Sequence, residues 1–436
     1  MLDLTSKQRD EIGLTFVLRH LQPVTPYGAE KTKSLVPLTK EEAEICFDNM
    51  EVGWGISSDA LPRFKNIRGC VEKAKTLPLN EVELFEVKGF LLTLEKLLAE
   101  DLPDLKGITF LPMTDALDIL DPQNNRLSPF SLESPKLAEL RREKERLEKL
   151  GDTEKRALVV AEEDAEEMRV MEVLTNALRA YIPVFVHNTE AIGDLDLTIA
   201  KARLAQQFGG VRPAISNTVN ITDMTNPYFA DVLAQKGKQF TKVSISMPRG
   251  VTIITGANMG GKSMAIKTIA LNIALCQLGF FVFGETAEIP MFDAIHLITD
   301  DAQSATEGLS TFGAEMTHLN TAVKAIRNGF TFLAMDEPVC GTNPAEATII
   351  AQGITSFLAE QSAISLLSTH YDRITPLATA HYRVAGITET GAMDYTLHPA
   401  GINEPIPRNA LDICEKIGLD AELLSRIRDY GQRPSI

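Results

Sequence analysis

The chain has 436 residues, of which 44% are hydrophobic and 23% charged, and its formal net charge is −16. This length predicts two to three globular domains. No apolar run approaches the roughly 20 residues of a bilayer span, which argues against a membrane protein. The negative charge argues against nucleic acid as the default partner. The five cysteines never form a C-x-x-C pair and the start lacks the features of a signal peptide, so we expect a cytoplasmic chain with free thiols.

The N-terminal part, residues 1 to about 120, is predicted to be almost entirely helical. Apolar residues recur there at steps of three and four, which indicates an amphipathic helix; they are Leu84, Val87, Leu91, Leu94 and Leu98. Its carboxylates form no convincing catalytic cluster and are interpreted as a solvated face.

A pair of long helices is predicted next. Ser134 and Pro135 open a charged helix that runs to Leu150, a turn follows at residues 151–153, and a second helix carries an apolar face. We expect the two helices to pack along that face as a short antiparallel lever arm, at about residues 134–186. The apolar face of the second helix consists of Leu158, Ala161, Ala165, Met168, Met171, Leu178 and Ile182. From Glu133 to Glu167 the sequence has eight basic and twelve acidic side chains, a balance expected to repel a phosphate backbone.

The pattern changes near residue 210, after a further predicted helix at residues 194–205. From there strands alternate with helices, as in a parallel or mixed α/β sheet. The predicted architecture is therefore a helical core and lever domain over residues 1–209, followed by an α/β P-loop NTPase domain of the ABC type over residues 210–436.

The stretch Thr255–Ser263 fits the pattern G-x-x-x-x-G-K-[ST] between a β-branched strand and a helix. Glycines there let backbone N–H groups point at phosphates, with the positive end of the helix behind them. Lys262 is expected to reach the β- and γ-phosphates, and the Ser263 hydroxyl to bind Mg²⁺. The predicted nucleotide-binding residues are Gly256, Ala257, Asn258, Met259, Gly260, Gly261, Lys262 and Ser263.

Two later strands end in polar side chains. The apolar run 331–335 leads into Asp336, a candidate Mg²⁺ ligand, and Glu337, a candidate for orienting or deprotonating the attacking water. A second apolar run, 363–367, leads to His370, which is expected to hydrogen-bond the γ-phosphate or the water.

Between the P-loop and these strands, Ser310 is a predicted cap of a helix that runs to about Asn328. From a second subunit, Ser310 could bind the γ-phosphate, so that ATP lies between two protomers.

These pieces together resemble the MutS family of ABC-type ATPases. The matching segments are residues 255–263, 309–316, 336–337, 341–344 and 368–371. Residues 301–312 and 341–344, together with the start of the long helix at Ser134, look most like the second MutS branch. The resemblance implies a homodimer with composite ATP sites, in which the P-loop, Asp336, Glu337 and His370 act in one subunit and Ser310 on the partner's nucleotide. It also offers Phe240 as a residue that stacks on adenine, and residues 408–419 as part of the dimerisation helices.

The departures from the family leave two functions open. We expect no mismatch-reading domain, no DNA-gripping clamp at the turn 151–153, and no C-terminal Smr domain. The family favours an ATPase that acts on distorted or branched DNA, in repair or recombination. The missing clamp and the acidic arm favour the alternative, a protein-remodelling ATPase such as a reactivating factor for a cobalamin-dependent aminomutase.

Overall fold

The computed structural model describes residues 2–57, 60–123, 131–256, 261–299, 311–339, 342–371, 373–387, 393–401, 404, 415 and 418–431. The chain divides into two compact units. The sheet unit comprises residues 1–20, 36–47 and 204–436, and the helical unit comprises residues 21–35 and 48–203. Two N-terminal segments that the sequence assigns to a helical domain thus cluster with the sheet unit. The predicted order, helical core first and α/β domain second, stays a prediction.

Helices and strands account for most of the described residues. None of these helices is both long and apolar enough to cross a bilayer. The helices are α1 (Ser6–Glu11), α2 (Leu14–Arg19), α3 (Pro26–Lys33), α4 (Lys40–Gly53), α5 (Arg68–Ala74), α6 (Glu81–Ala99), α7 (Thr114–Leu120), α8 (Pro135–Leu150), α9 (Thr153–Leu178), α10 (Ile182–Phe208), α11 (Pro227–Ala234), α12 (Lys262–Gln277), α13 (Thr311–Asn328), α14 (Pro344–Ala359) and α15 (Ala421–Gly431). The strands are β1 (Leu2–Asp3), β2 (Gly210–Val211), β3 (Ala214–Ile215), β4 (Val219–Met224), β5 (Val243–Met247), β6 (Gly250–Thr255), β7 (Val282–Phe283), β8 (Thr286–Ile289), β9 (Ala294–Ile298), β10 (Thr331–Met335), β11 (Ile364–Ser368), β12 (Ala380–Ile387) and β13 (Met393–Pro399).

Helix α6 shows how local sequence fixes an element of the helical unit. Asn80 caps its first turn by accepting the Glu83 N–H at 2.9 Å, and the Glu83 carboxylate accepts the Asn80 N–H at 2.8 Å. This reciprocal pair satisfies two backbone donors that the helix leaves unpaired. The apolar face then packs into the core of the unit, with Leu84, Val87, Leu91 and Leu94 buried as the periodicity predicts. Leu98, the last member of the predicted face, is instead 41% exposed.

Helices α8 and α9 form the predicted antiparallel pair. The Ser134 hydroxyl accepts the Leu137 N–H at 3.0 Å and starts α8. Gly151 ends it in the left-handed conformation, with φ 72°, and Asp152 caps α9. Because a residue without Cβ adopts this φ at little cost, the turn needs only two residues.

Helices α8 and α9 bury charged residues beside apolar ones, which corrects part of the predicted apolar face. Leu158 is 65% exposed and Met168 61% exposed, whereas Glu163 and Glu166 are buried. The predicted stripe is therefore divided: Leu158 and Met168 lie on the outside of α9, whereas Leu178 is buried and Met171 and Ile182 pack against the core of the helical unit.

Buried carboxylates are tolerated here because basic groups reach them. Glu163 accepts from Arg141 Nε at 3.3 Å and also pairs with Lys144. Glu166 accepts two hydrogen bonds from the Arg169 guanidinium, at 2.6 and 2.9 Å. Burying a charge is costly unless it is paired and hydrogen-bonded, and these contacts meet that condition.

The sheet unit is built on a seven-stranded sheet in the order β1–β9–β10–β11–β6–β12–β13. In this sheet β1, β9, β10, β11, β6 and β12 run parallel to one another, and β13 is antiparallel to β12. The sheet is therefore mixed, as the sequence allows. Smaller sheets, β3–β8–β4–β5 and β2–β7, belong to the same unit.

The N-terminal residues form an edge strand that the helical prediction missed. In strand β1, Leu2 pairs with Ile295 of β9. The Gln8 side chain of α1 then donates to the Leu297 carbonyl at 2.7 Å. These contacts explain why residues 1–20 cluster with the sheet unit.

Strands β10, β11 and β6 lie side by side in the middle of the sheet. Met335 pairs with Leu367, and Ser368 pairs with Ile254. Since the three strands are parallel, their carboxyl ends meet at one edge, where open α/β sheets bind their ligands.

We expect Glu163→Gln and Glu166→Gln to destabilise the α8–α9 pair. Hydrogen bonds from Lys144 lower the pKa of Glu163, and those from Arg169 lower the pKa of Glu166 from 4.5 to about 2. A lowered carboxyl pKa adds stability that is complete above the unfolded value and is lost as pH falls through the folded value. Amide protection factors in α8 and α9, in which the intrinsic exchange rate at each pH is divided out, should therefore fall in both variants, and in the unmodified protein below about pH 4.5.

The exposed Glu162 provides the matched control, because Glu162→Gln removes a carboxylate from the same helix outside the seam. Equal protection factors in Glu162→Gln and Glu166→Gln would contradict the role of the seam pairs.

Candidate functional site

The candidate site begins where β6 meets α12. Every residue of β6 is buried, and the strand ends at Thr255. Gly256 follows with φ 140°, and Gly261 has φ 93° immediately before α12 starts at Lys262. The strand and helix predicted around the P-loop are thus present, while the predicted residues Ala257, Asn258, Met259 and Gly260 lie outside the described residues.

Both described glycines occupy positions that a side chain would disturb. A Cβ on Gly256 would lie 3.1 Å from the Cβ of Val384, and one on Gly261 would lie 3.1 Å from Cδ1 of Tyr395. Their positive φ values add backbone strain for any residue with a Cβ. The close backbone approach and the start of α12 together fit a phosphate chain, which helix N-termini attract.

Lys262 lies at the centre of the site. Its side chain is 4% exposed, its Nζ donates to the Gly256 carbonyl at 2.9 Å, and it forms an ion pair with Glu337 at 3.1 Å. The structure therefore brings together two of the three predicted catalytic residues, Lys262 at the start of α12 and Glu337 just after β10. The pair also holds the start of α12 next to the end of β10.

Asp336 and Glu337 follow β10 in a constrained turn. Glu337 has φ 49° and Val339 has φ 69°, values that are uncommon outside glycine. The Asp336 N–H donates to the Ile298 carbonyl of β9 at 2.9 Å. The Val339 N–H donates to Oε1 of Glu315, on α13, at 2.8 Å.

Ser368, at the end of β11, contacts both carboxylate residues. Its hydroxyl accepts the Glu337 N–H at 2.8 Å and donates to Oδ1 of Asp336 at 2.7 Å. The sequence reasoning placed this residue in the matching segment 368–371 but gave it no role. The signal that could have found it is its place at the end of the apolar run 363–367, one strand away from Asp336 in the predicted sheet.

His370 lies just beyond β11 and is exposed, with its ring centroid 4.3 Å from that of Tyr371. The preceding residue, Thr369, donates its N–H to the Ile254 carbonyl of β6 at 3.0 Å. His370 therefore lies at the same edge of the sheet as Glu337 and Lys262. Its contact with a phosphate or a water stays a prediction.

The remaining predicted residues are placed more loosely. Ser263 is exposed in the first turn of α12, and Phe240 is half-buried in the connection between α11 and β5. Ser310 lies outside the described residues, and α13 begins at Thr311, in agreement with the predicted helix. The Mg²⁺ and adenine roles of Ser263 and Phe240 stay predictions.

A buried histidine that the sequence reasoning missed supports the end of β6. His381 of β12 contacts the Thr255 hydroxyl through Nε2 and the Gly401 carbonyl through Nδ1, both at 2.8 Å. Because a carbonyl only accepts, Nδ1 carries a proton. The contact fixes the residue that immediately precedes the glycine loop.

The donor set at this edge fits a magnesium nucleotide. The Asp336 carboxylate and the Ser263 hydroxyl are oxygen ligands of the kind that Mg²⁺ prefers. Lys262 supplies a positive charge beside the glycines, where the negative charge of a phosphate chain would lie.

Comparison with known proteins relates this part of the chain to one family. A family model described as MutS domain V matches residues 252–395. Curated relatives named endonuclease MutS2 are similar to the chain: that of Pediococcus pentosaceus is 29% identical over 281 residues, which is 62% of this chain and 34% of the relative. The one from Leuconostoc mesenteroides is 31% identical over 60% of this chain and 33% of the relative. The one from Carboxydothermus hydrogenoformans is 25% identical over 86% of this chain and 47% of the relative.

The chain thus spans between about a third and a half of the length of these relatives. The matched family segment contains β10, β11, α12 and most of β6. The matched family segment therefore includes every candidate site residue described above except Phe240.

We expect Gly261→Ala to weaken nucleotide binding and to lower stability. The left-handed φ alone costs roughly 1–3 kcal/mol for a residue with a Cβ, and the new methyl would press on Tyr395. Thermal unfolding and binding of a fluorescent ATP analogue measure the two effects. Adding Tyr395→Ala should recover the part of the loss that comes from the steric contact.

Gly353→Ala is the control, since nothing outside its own helix lies within 4 Å of the position that a Cβ on this glycine of α14 would occupy. It should leave both measurements unchanged or raise stability slightly. Equal losses in the two variants would contradict a specific need for glycine at position 261.

Proposed function

This chain is a MutS2-like member of the MutS family, and from that premise we propose that it hydrolyses ATP to drive a conformational switch on DNA. The observation that carries the proposal is the ion pair of Lys262 with Glu337, next to Asp336, at the carboxyl edge of β6 and β10. Such a meeting of a P-loop lysine with a carboxylate pair suits phosphoryl transfer to water, where catalysis is mainly positioning and electrostatic stabilisation.

Lys262, Glu337 and His370 have different roles in the proposed hydrolysis. Lys262 donates to phosphate oxygens of bound ATP in place of the Gly256 carbonyl, which releases the Glu337 carboxylate from its ion pair. Glu337 then orients the attacking water or accepts its proton. His370 hydrogen-bonds the γ-phosphate or the water.

Asp336 and Ser263 would hold Mg²⁺. When bound, the ion neutralises charge on the phosphate oxygens. The protein holds these two oxygen ligands at fixed positions, Asp336 just after β10 and Ser263 in the first turn of α12.

A homodimer completes the proposed site. Ser310, just before α13, acts on the nucleotide of the partner subunit, so that ATP closes the interface and hydrolysis reopens it. Motion of this kind is carried by rigid-body movement of subunits or domains about an interface, and the α8–α9 pair would serve as the lever.

DNA is the proposed substrate because the relatives are named endonucleases. The alternative of a protein-remodelling ATPase is not favoured by those names. The acidic arm, which favours that alternative, keeps its acidic excess in the folded structure, because each ion pair of Glu163 or Glu166 also neutralises a basic group.

Steady-state ATP hydrolysis at physiological salt, with plain, mismatched and branched DNA, tests the proposal. We expect turnover that one DNA structure stimulates, and DNA binding that weakens as salt rises. Lys262→Ala should reduce turnover by on the order of 10²–10³-fold, the loss typical of one preorganised donor. Hydrolysis that no DNA changes would reject the DNA part of the proposal, and equal turnover in Lys262→Ala would reject the site.

Glu337→Gln separates binding from chemistry. The amide keeps the shape but is a poor base and removes the charge partner of Lys262, so we expect turnover to fall by about 10²–10⁴-fold. Equilibrium binding of a fluorescent ATP analogue should be as tight as in the unmodified protein, or tighter. Loss of binding and turnover in equal measure would assign Glu337 a structural role instead.

A further inference from the structure

Ser368 is the last residue of β11, the strand that lies between β10 and β6. Its side chain is fully buried, with 0% exposure. It therefore sits directly between the strand that carries the carboxylate pair and the strand that leads into the glycine loop.

Both hydrogen bonds of this hydroxyl have a fixed direction. The Glu337 N–H can only donate, so Ser368 Oγ accepts from it, at 2.8 Å. The Asp336 carboxylate accepts, so the hydroxyl proton points to Oδ1, at 2.7 Å. One hydroxyl thus fixes a side-chain oxygen of Asp336 and the backbone of Glu337 at once.

We propose that Ser368 is a positioning residue of the hydrolytic centre, a role that rests on the proposed ATPase function. Through its proton it sets the direction in which the Asp336 carboxylate faces Mg²⁺. Through its lone pair it sets the peptide between Asp336 and Glu337, and with it the path of the Glu337 side chain.

The second effect matters because the backbone at Glu337 is strained. With φ 49°, this residue adopts a conformation that few side-chain-bearing residues hold without support. The N–H bond to Ser368 supplies such support on one side of the residue, and the ion pair with Lys262 at 3.1 Å holds its carboxylate on the other. Loss of the hydroxyl would let the peptide turn and move the carboxylate away from Lys262.

The same strand offers a matched control in Ser365. This serine is also fully buried, but its hydroxyl has no hydrogen-bond partner among the residues that the structure describes. Ser365→Ala therefore removes a buried hydroxyl from β11 without touching the carboxylate pair.

The experiment compares Ser368→Ala, Ser368→Thr and Ser365→Ala in the full chain. ATP turnover is measured against Mg²⁺ concentration, and a fluorescent ATP analogue is titrated with Mg²⁺ and with EDTA. For Ser368→Ala we expect kcat to fall about 10- to 100-fold, the usual effect of removing a partner that orients a metal ligand. The Mg²⁺ needed for half-maximal turnover should rise and the Mg²⁺-dependent gain in nucleotide affinity should shrink, while binding in EDTA stays as in the unmodified protein.

Ser368→Thr keeps the hydroxyl and should restore the Mg²⁺ dependence, and Ser365→Ala should match the unmodified protein. If circular dichroism shows that Ser368→Ala is unfolded, Ser368→Cys replaces it, because the thiol fills the space but is a weak donor. An unchanged Mg²⁺ dependence in the folded variant that lacks the hydroxyl, or an equal change in Ser365→Ala, would overturn the positioning role. An unmodified protein without ATP turnover would instead reject the proposed function, so the two failures are distinguishable.

Discussion

The parallel pairing of β10, β11 and β6 is the constraint on which the site depends. All three strands are buried along their length, and backbone hydrogen bonds fix their register. Because the pairing is parallel, the chain leaves each strand at the same edge, and the residues that follow meet there although they are far apart in sequence. Glu337 and Lys262 can form their ion pair only while that register holds. A slip of one residue would turn each strand's side chains to the opposite face of the sheet.

At this edge the fold holds a strained turn in place with a few specific bonds. Left-handed conformations at Glu337 and Val339 cost roughly 1–3 kcal/mol each. The N–H groups of the same two residues are bound by side chains from other elements, by Ser368 of β11 and by Glu315 of α13. The bond from Glu315 gives α13 a direct contact with the turn that carries the proposed base. In the proposed dimer, where Ser310 just before α13 binds the partner's nucleotide, a movement of α13 would be transmitted to Glu337 through this contact.

The sequence predicted those parts of the fold that local patterns determine. Strand β10 and the end of α13 have the predicted bounds, because a short apolar run and a helical period leave little choice. The arm shows the limit: Leu158 and Met168 have the spacing of a packing face, yet they are exposed. Which face of a helix is buried depends on what the neighbouring helix presents, and a single helical period does not encode it. Ser368 was given no role for a similar reason, since its importance comes from neighbours about 30 positions away that only the strand pairing brings into contact.

The ion pairs of the arm bury part of its charge but leave its acidic excess in place. Counted along the sequence, the acidic excess suggests a surface that repels phosphates. In the folded arm, Glu163 and Glu166 are buried between the helices with their charges paired, and Glu167 accepts from Arg141 at 3.0 Å. Interaction with a phosphate backbone depends on the charges that reach solvent within about a Debye length, roughly 8–10 Å at physiological salt. Each pair takes a basic group together with an acidic one, and exposed carboxylates remain at Glu139, Glu145, Glu154 and Glu162, so the folded arm still presents an acidic surface that disfavours contact with a phosphate backbone.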